Sequence, residues 1–478
     1  MSVVRQIARD EARYWRRSQL AVAASVLFLL LAVVTLVVTA LRISHETTLR
    51  AHHQAEAEAA FLAQPDRHPH RMIHYGHFVF RTPPPLARFD PGIDAVTGSA
   101  LFLEGHRQNS ASFAEAGASA YLGGLSWLTP ALVYQLFAPL LLIILGHGAL
   151  AREREGRTLQ ALASLGITPG QLVLGKGLAL GAALGLALIP LVLTVALGVG
   201  AGEALAPALG MIGAYALYLG LWAGVALLFS SVLAERGAVL VALTALWLAL
   251  TLLLPSLAVN NTERLVPIEG KTEGDLALLS ELRKLGDGHN AADPAFAKLK
   301  QDLLDQYNVD SVEALPVNFR GIVASKAEAD LTETMNRFAE ARMRQEAAQN
   351  SLLARHGWLS PLLALAEASR ALAGTDLANH HRFLREAEAL RFDFVQRLNG
   401  VHAEGLSYLD DVRRSSDPEA EARTRVSGEN WQVLQAFRFE PQAPAARLEA
   451  AAESLLILLV WCLGLMLALK RFAGRLAP

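Results

Sequence analysis

Hydrophobic residues in this chain are clumped, and the clumps come in lengths that suit a bilayer. From Leu20 to Leu41 no residue is charged, and at about 1.5 Å per residue such a run covers a hydrocarbon core of roughly 30 Å. Five more runs follow: Leu125–Leu150, where only His147 titrates, then Gly177–Gly202, Ala204–Ala234, Gly237–Asn260 and Ala451–Leu469. The pattern therefore predicts six spanning helices, over 20–43, 125–150, 177–202, 204–234, 237–260 and 451–469. The third and fourth nearly touch around Ala201 to Pro207, which reads as a tight hairpin. The first run continues into Arg42 and His45 without a small-residue cleavage pattern, so it reads as a retained span and not a secretory signal.

Orientation follows from lysine and arginine in short loops, which favour the cytoplasmic side. One side collects Arg5, Arg9, Arg13, Arg16 and Arg17, then Arg152, Arg154, Arg157 and Lys176, then Arg236, and finally Lys470, Arg471 and Arg475. The hairpin on the other side has none. Both termini, with a tail over 470–478, are expected in the cytoplasm, and two large segments outside, 44–124 and 261–449.

Patterning within the polar segments is mainly helical. Residues 1–19 place Arg5, Arg9, Arg13 and Arg16 at helical spacing beside Val4, Ala8, Ala12 and Trp15, a basic amphipathic elbow helix lying on membrane lipid. In 261–449, Leu331, Met335 and Phe338, then Phe383, Ala387, Leu390, Phe394 and Leu398, recur at three- and four-residue steps. His356 to Pro361 breaks the chain between those helices, and Gly374-Thr375-Asp376 offers a stop followed by an N-cap. That segment holds 23 Lys/Arg against 30 Asp/Glu, which makes it a solvated acidic domain. Met72 to Arg81 is aromatic and β-branched enough for a strand, ended by Thr82-Pro83-Pro84-Pro85. The fold class expected is an all-α polytopic membrane protein, with a large, mostly helical outer domain and a minor β element.

Composition narrows the chemistry. Of 478 residues 53% are hydrophobic and 18% charged, against about 25% charged in an ordinary soluble domain. The mean hydropathy is +0.30. One cysteine, Cys462, leaves no disulfide framework and no cysteine-rich metal site. A net charge of −2 offers no field for nucleic acid. No acid or base sits in the middle of a span, which argues against an ion-coupled secondary transporter. Gly170 to Lys176 has the spacing of a phosphate loop, but Gly177 follows where magnesium binding needs Ser or Thr, and no strand precedes it. Neither a zinc-protease motif nor a nucleophile elbow is present. An enzyme is not expected.

The loop from Ala151 to Lys176 is the most informative stretch. Arg152, Glu153, Arg154, Glu155 and Arg157 precede Thr158-Leu159, and Ser164 to Pro169 forms a turn before Gly175-Lys176. Leu159, Leu162 and Leu165 are expected on one side of a short helix and the Arg/Glu cluster on the other, a shape suited to a groove on a partner. These residues resemble the coupling segment of ABC-2-type permeases, the membrane subunits of exporters driven by a separate ATP-binding protein. Similar to the branch of that family with large outer insertions, a domain of unknown function, are Tyr75-Gly76 with Val79-Phe80-Arg81, Asp90-Pro91-Gly92, Leu103 to Asn109, and Leu372 to Asp376 with His380-His381 and Phe383. The family usually has Gly before the Thr-Leu pair, where Arg157 stands here. The resemblance implies a bacterial inner-membrane subunit that pairs as a homodimer or with a second permease. Its cofactors, ATP and magnesium, would be held by the partner ATPase, and an envelope partner is possible. The size of the two outer segments favours a mechanotransmission subunit as the alternative, one that carries no cargo and moves the outer domain against an envelope partner.

Two further patterns stay open at this level. Gly177, Gly181 and Gly185, with Gly220 and Gly224, are spaced for close helix approach, either at a dimer interface or inside the bundle. Eight of fourteen histidines lie in the first outer segment. Among them His68 and His70 are expected to share a strand face and His74 and His77 a helical turn. These four are weak metal candidates beside the plainer reading, a solvated pH-responsive surface.

Overall fold

The computed structural model describes residues 2–112, 128–434 and 436–473. The chain is 77% helical, with a single two-stranded sheet among the described residues. Six helices are long and apolar enough to cross a membrane: Gln19–Leu62, Pro130–Glu155, Pro169–Gly200, Leu205–Val232, Arg236–Leu265 and Pro444–Phe472. The expected start of the second span at Leu125, and Arg475 in the tail, fall outside the described residues.

The first spanning helix is the main departure from the hydropathy pattern. It runs 44 residues, about 65 Å at 1.5 Å per residue, and so continues far beyond the apolar run as a post. Nothing after Leu41 stops it: Ser44 to Phe61 contains neither Gly nor Pro and is rich in strong helix formers. The post carries a head built from 44–112 and 261–443. Its buried end, Phe61, packs with Val79, Phe394 and Trp431 in the head's core.

Met72 to Arg81 is not one strand. Pro69–Tyr75 is helical, Gly76 turns the chain at φ 71°, and only His77–Phe80 (β1) is extended, antiparallel to Ala100–Leu103 (β2). Pro69 at the helix start pre-sets φ, and the His68 ring nitrogen accepts from the His70 N–H as a cap. His68 and His70 therefore share no strand face.

Three prolines interrupt the spans, and each interruption is repaired by a side chain. Tyr134 Oη donates to Ala187 O at 2.7 Å and accepts from Leu191 N at 3.3 Å beside Pro190, wedging open one rung of that helix. Ahead of Pro139 and Pro255 the chain widens into π turns, Val133–Phe137 and Ala249–Leu253. There Tyr218 donates to Gln135 O, Trp247 to Leu136 O and Ser360 to Leu250 O.

The head is rooted in the bundle. Pro361–Ala373 packs against the fourth and sixth spans, and its Leu365, Ala368 and Leu372 belong to the same core as Tyr215 and Trp222. Two sequence stretches far apart in the chain meet here. Asp90 takes a hydrogen bond from Ser369, Thr375 Oγ1 donates to Asp90 O at 3.1 Å, and Ile93 N donates to Thr375 O at 3.1 Å. Gly92, at φ 56°, has the Thr375 carbonyl 2.3 Å from where a Cβ would sit, so no other residue fits. Arg447 grips Glu203 in the hairpin between the third and fourth spans at 2.8 and 3.1 Å, both side chains buried.

Candidate functional site

At the end of the bundle away from the head, the N-terminal helix Val3–Arg17 lies across the third span. Its seat is set by Gly175, where a Cβ would come within 2.6 Å of Ile7 Cγ2 and 3.1 Å of Val4 O. Trp15 Nε1 donates to Leu145 O at 2.9 Å and pins the far end. Arg5, Arg9, Arg13 and Arg16 lie on the exposed side. One acid on this basic helix faces inward. Glu11, 1% exposed, receives Lys176 Nζ at 2.6 Å and Arg152 Nη2 at 2.6 Å.

From Glu11 an ion-pair network spreads through the loop. Lys176 also reaches Glu153 Oε1 at 2.8 Å, Glu153 accepts from Thr158 Oγ1 at 2.6 Å, and the Arg152 guanidinium lies 3.7 Å from the centre of the Tyr14 ring. Arg154 donates to the carbonyls of Ser231 and Leu233, and Ser230 Oγ accepts from Leu150 N and Ala151 N. Glu155 pairs with Arg236 at 2.5 Å. A short loop is thus joined to the N-terminal helix and to the ends of the third, fourth and fifth spans.

This arrangement corrects the expected amphipathic helix. The loop holds two helices, Ala151–Glu155 and Thr158–Ser164, divided at Arg157, which adopts φ 54° and ψ 19°. That left-handed conformation costs a residue with a Cβ about 1 kcal/mol and costs Gly almost nothing. Arg152 and Glu153 face inward because Glu11 and Lys176 supply buried partners, while Glu155 and Arg157 stay exposed. Leu159 and Leu162 also turn inward, onto Ile7, Leu150, Leu172 and Val173. Leu165 alone of the three leucines is presented outward, at 77% exposure beside Gly166. Ser164 Oγ donates to Ala161 O within its own helix, and Pro169 starts the third span behind a Thr168–Gln171 capping box. The Gly170–Lys176 stretch is helical throughout.

The spaced glycines divide. Gly224 faces Leu465 of the sixth span, with Leu465 Cδ2 2.5 Å from a hypothetical Cβ, and Gly177 faces Leu227 at 3.4 Å. Gly181, Gly185 and Gly220 have no described atom within 4 Å of that position, and Gly181 and Gly185 are exposed.

In the head the four histidine candidates part company. His70 and His74 stand one turn apart on Pro69–Tyr75, and His106 and His289 join them. His68 is buried beside His402, both on Asp411 at 3.2 and 2.7 Å. His77 lies apart, 3.5 Å from Gln54 Nε2. Burial pushes the His68, His77 and His380 imidazoles down to about 4. His380 and His381 diverge, with His381 on Glu346 at 2.8 Å.

The head carries the chain's likeness to a known family. A family model described as a domain of unknown function, DUF3526, matches residues 274–440. No curated protein matches the sequence. The DUF3526-like stretch contains His289, His402, Asp411 and the core helices of the head, and stops before the sixth span.

Glu11, His289 and Asp411 were not read from the sequence. Glu11 left one signal: unlike its exposed neighbour Asp10, it stands three residues from Ala8 and four from Trp15, on the apolar side of the helix. His289 left none, because His106 is more than 180 residues away; Asp411 has one imidazole, His402, nine positions along the chain, but its other, His68, lies more than 340 residues away.

Proposed function

We propose that this chain is the membrane subunit of an ATP-driven exporter of the ABC-2 type, moved from its N-terminal-helix end by a separate ATP-binding subunit. The observation that carries this reading is the Glu11–Arg152–Glu153–Lys176 network. It joins the surface loop to the N-terminal helix and the third span at once, so a push at the loop tip moves both as one body. Buried ion pairs of this kind contribute little net stability but fix geometry. In this reading both termini and the loop are cytoplasmic, the head is outside, and the partner holds ATP and magnesium. Leu165 and Gly166, exposed at the tip, are the contact point, while Glu153 acts inside the lever and Glu155 ties its outer edge to Arg236. Exposed Gly181 and Gly185 offer a face for a second permease copy.

The test is co-purification of full-length tagged protein in detergent, with identification of the bound nucleotide hydrolase and its ATPase rate. Leu165→Asp should weaken that association at least about tenfold while leaving the thermal midpoint unchanged. Retained association, or no hydrolase in the native complex, overturns the proposal.

A second reading, in which the spans carry no cargo and the motion works the head against an envelope partner, is favoured by the Arg447–Glu203 pair and the Pro361–Ala373 root. Accumulation of any cargo in ATP-loaded inverted vesicles would exclude it.

A further inference from the structure

We infer that His70, His74, His106 and His289 form a binding site for one divalent transition cation of the zinc class, independent of how the bundle is driven. The four rings come from three segments: the helix Pro69–Tyr75, the turn after β2, and the loop between Lys271–Leu282 and Pro294–Phe296. One ligand nitrogen from each lies within 4.8 Å of all the others.

The ring centres sit as a tetrahedron. Their six separations are 4.8 Å for His70–His74, 5.5 Å for His70–His106, 5.0 Å for His70–His289, 5.1 Å for His74–His106, 5.9 Å for His74–His289 and 4.9 Å for His106–His289. A zinc–nitrogen bond of about 2.0–2.1 Å, extended by the ~1.1 Å from ring nitrogen to ring centre, puts each centre about 3.2 Å from the ion; tetrahedral vertices at that radius are about 5.2 Å apart. Six near-equal separations around that value describe the shell of a tetrahedral ion, not a chance surface patch.

The nitrogens are also aimed. His106 Nδ1 is held by Glu328 Oε2 at 2.9 Å, and Glu328 is itself buried and paired with Arg391 at 2.5 Å. That leaves His106 Nε2, which is buried and has no hydrogen-bond partner. His289 Nδ1 is held by Asp287 Oδ1 at 3.2 Å. A carboxylate behind each of two imidazoles fixes the tautomer and raises the basicity of the metal-facing nitrogen. His70 Nε2 and His74 Nε2 are 3.2 Å apart, a spacing at which a proton bridges them and at which an ion would replace that proton.

Local backbone geometry brings His106 to this place. His106 adopts φ 65°, and a Cβ on Gly105 would lie 2.0 Å from Ile73 Cγ2, so only glycine lets the turn close on the Pro69–Tyr75 helix. An all-imidazole set suits zinc, copper or nickel, and tetrahedral geometry favours zinc among them. Four protein ligands leave no open position for a reacting water, so the site holds an ion and staples the 283–293 loop to the head instead of catalysing hydrolysis.

The experiment is titration of the metal-free full-length protein in detergent with Co2+ and then Zn2+. One Co2+ per chain should bind with the intense visible absorption of a tetrahedral nitrogen set, and one Zn2+ should displace it. H289A, at the surface, and the double variant H70A/H106A should abolish that absorption. Asp287→Asn should weaken binding about 10- to 100-fold. His52→Ala, on the exposed side of the post, should change nothing. Weak octahedral-type absorption, no binding by protein whose thermal midpoint is normal, or full binding by H289A would each overturn the inference.

Discussion

Arg157 shows how one residue decides the shape of a loop. Its left-handed conformation interrupts what the charge pattern reads as one helix, and the kink aims Leu165 outward while Glu153 turns in. Arg157→Gly should raise stability by about 0.5–1 kcal/mol and Arg157→Val should lower it by at least as much, both read from thermal unfolding of the detergent-solubilised protein. Glu11 is the opposite case, a residue whose one local signature is its place on the apolar side of its helix and whose partners are all long-range. Removing it leaves Lys176 buried with one partner where it had two and deprives Arg152 of its best one. Glu11→Ala should therefore destabilise by about 3 kcal/mol, whereas the paired change Glu11→Leu with Lys176→Met should recover much of that loss. Equal losses in the single and paired variants would show that the network is not the source.

At the level of elements, hydropathy marks where apolar runs begin and end but not where a helix does. The long post formed by Gln19–Leu62 outlasts its apolar run by some twenty residues, because helix continuation depends on propensity and on the absence of Gly and Pro, not on lipid. Pro190 was legible as a defect in the third span, but not its repair by Tyr134, since the partner lies 53 positions away. Tyr134→Phe should leave the Ala187 carbonyl short of a donor and cost about 1–2 kcal/mol, measured as a fall in thermal midpoint. An unchanged midpoint would mean the rung closes by itself. The Met72–Arg81 stretch illustrates the reverse error. Its aromatic and β-branched residues suit a strand, yet Pro69 starts a helix there and Gly76 postpones the strand to His77.

For the whole molecule, buried neutral histidines make the head sensitive to acid. His77 and His380 titrate near 6.5 when unfolded and near 4 when folded, because burial disfavours the imidazolium. Between those limits the unfolded chain takes up protons that the folded head refuses. Stability is therefore unaffected above about pH 6.5 and falls progressively as pH drops toward 4, by on the order of 2–4 kcal/mol for each residue. His380→Gln should flatten part of that fall in thermal scans between pH 7.5 and 4.5. An identical pH profile in the variant would remove His380 from the account.

Six apolar runs, a basic N-terminal helix, an acidic helical segment and the break at Gly374-Thr375-Asp376 are properties of neighbouring residues, so sequence alone determined them: periodicity, charge density and turn chemistry act over a few positions. Only tertiary structure decided that Asp90 meets Ser369, that Glu11 meets Lys176, and that His70, His74, His106 and His289 surround one point. Each of those meetings joins stretches far apart in the chain. Which partners a buried charge or an imidazole obtains depends on how helices pack, and no local spacing encodes that choice.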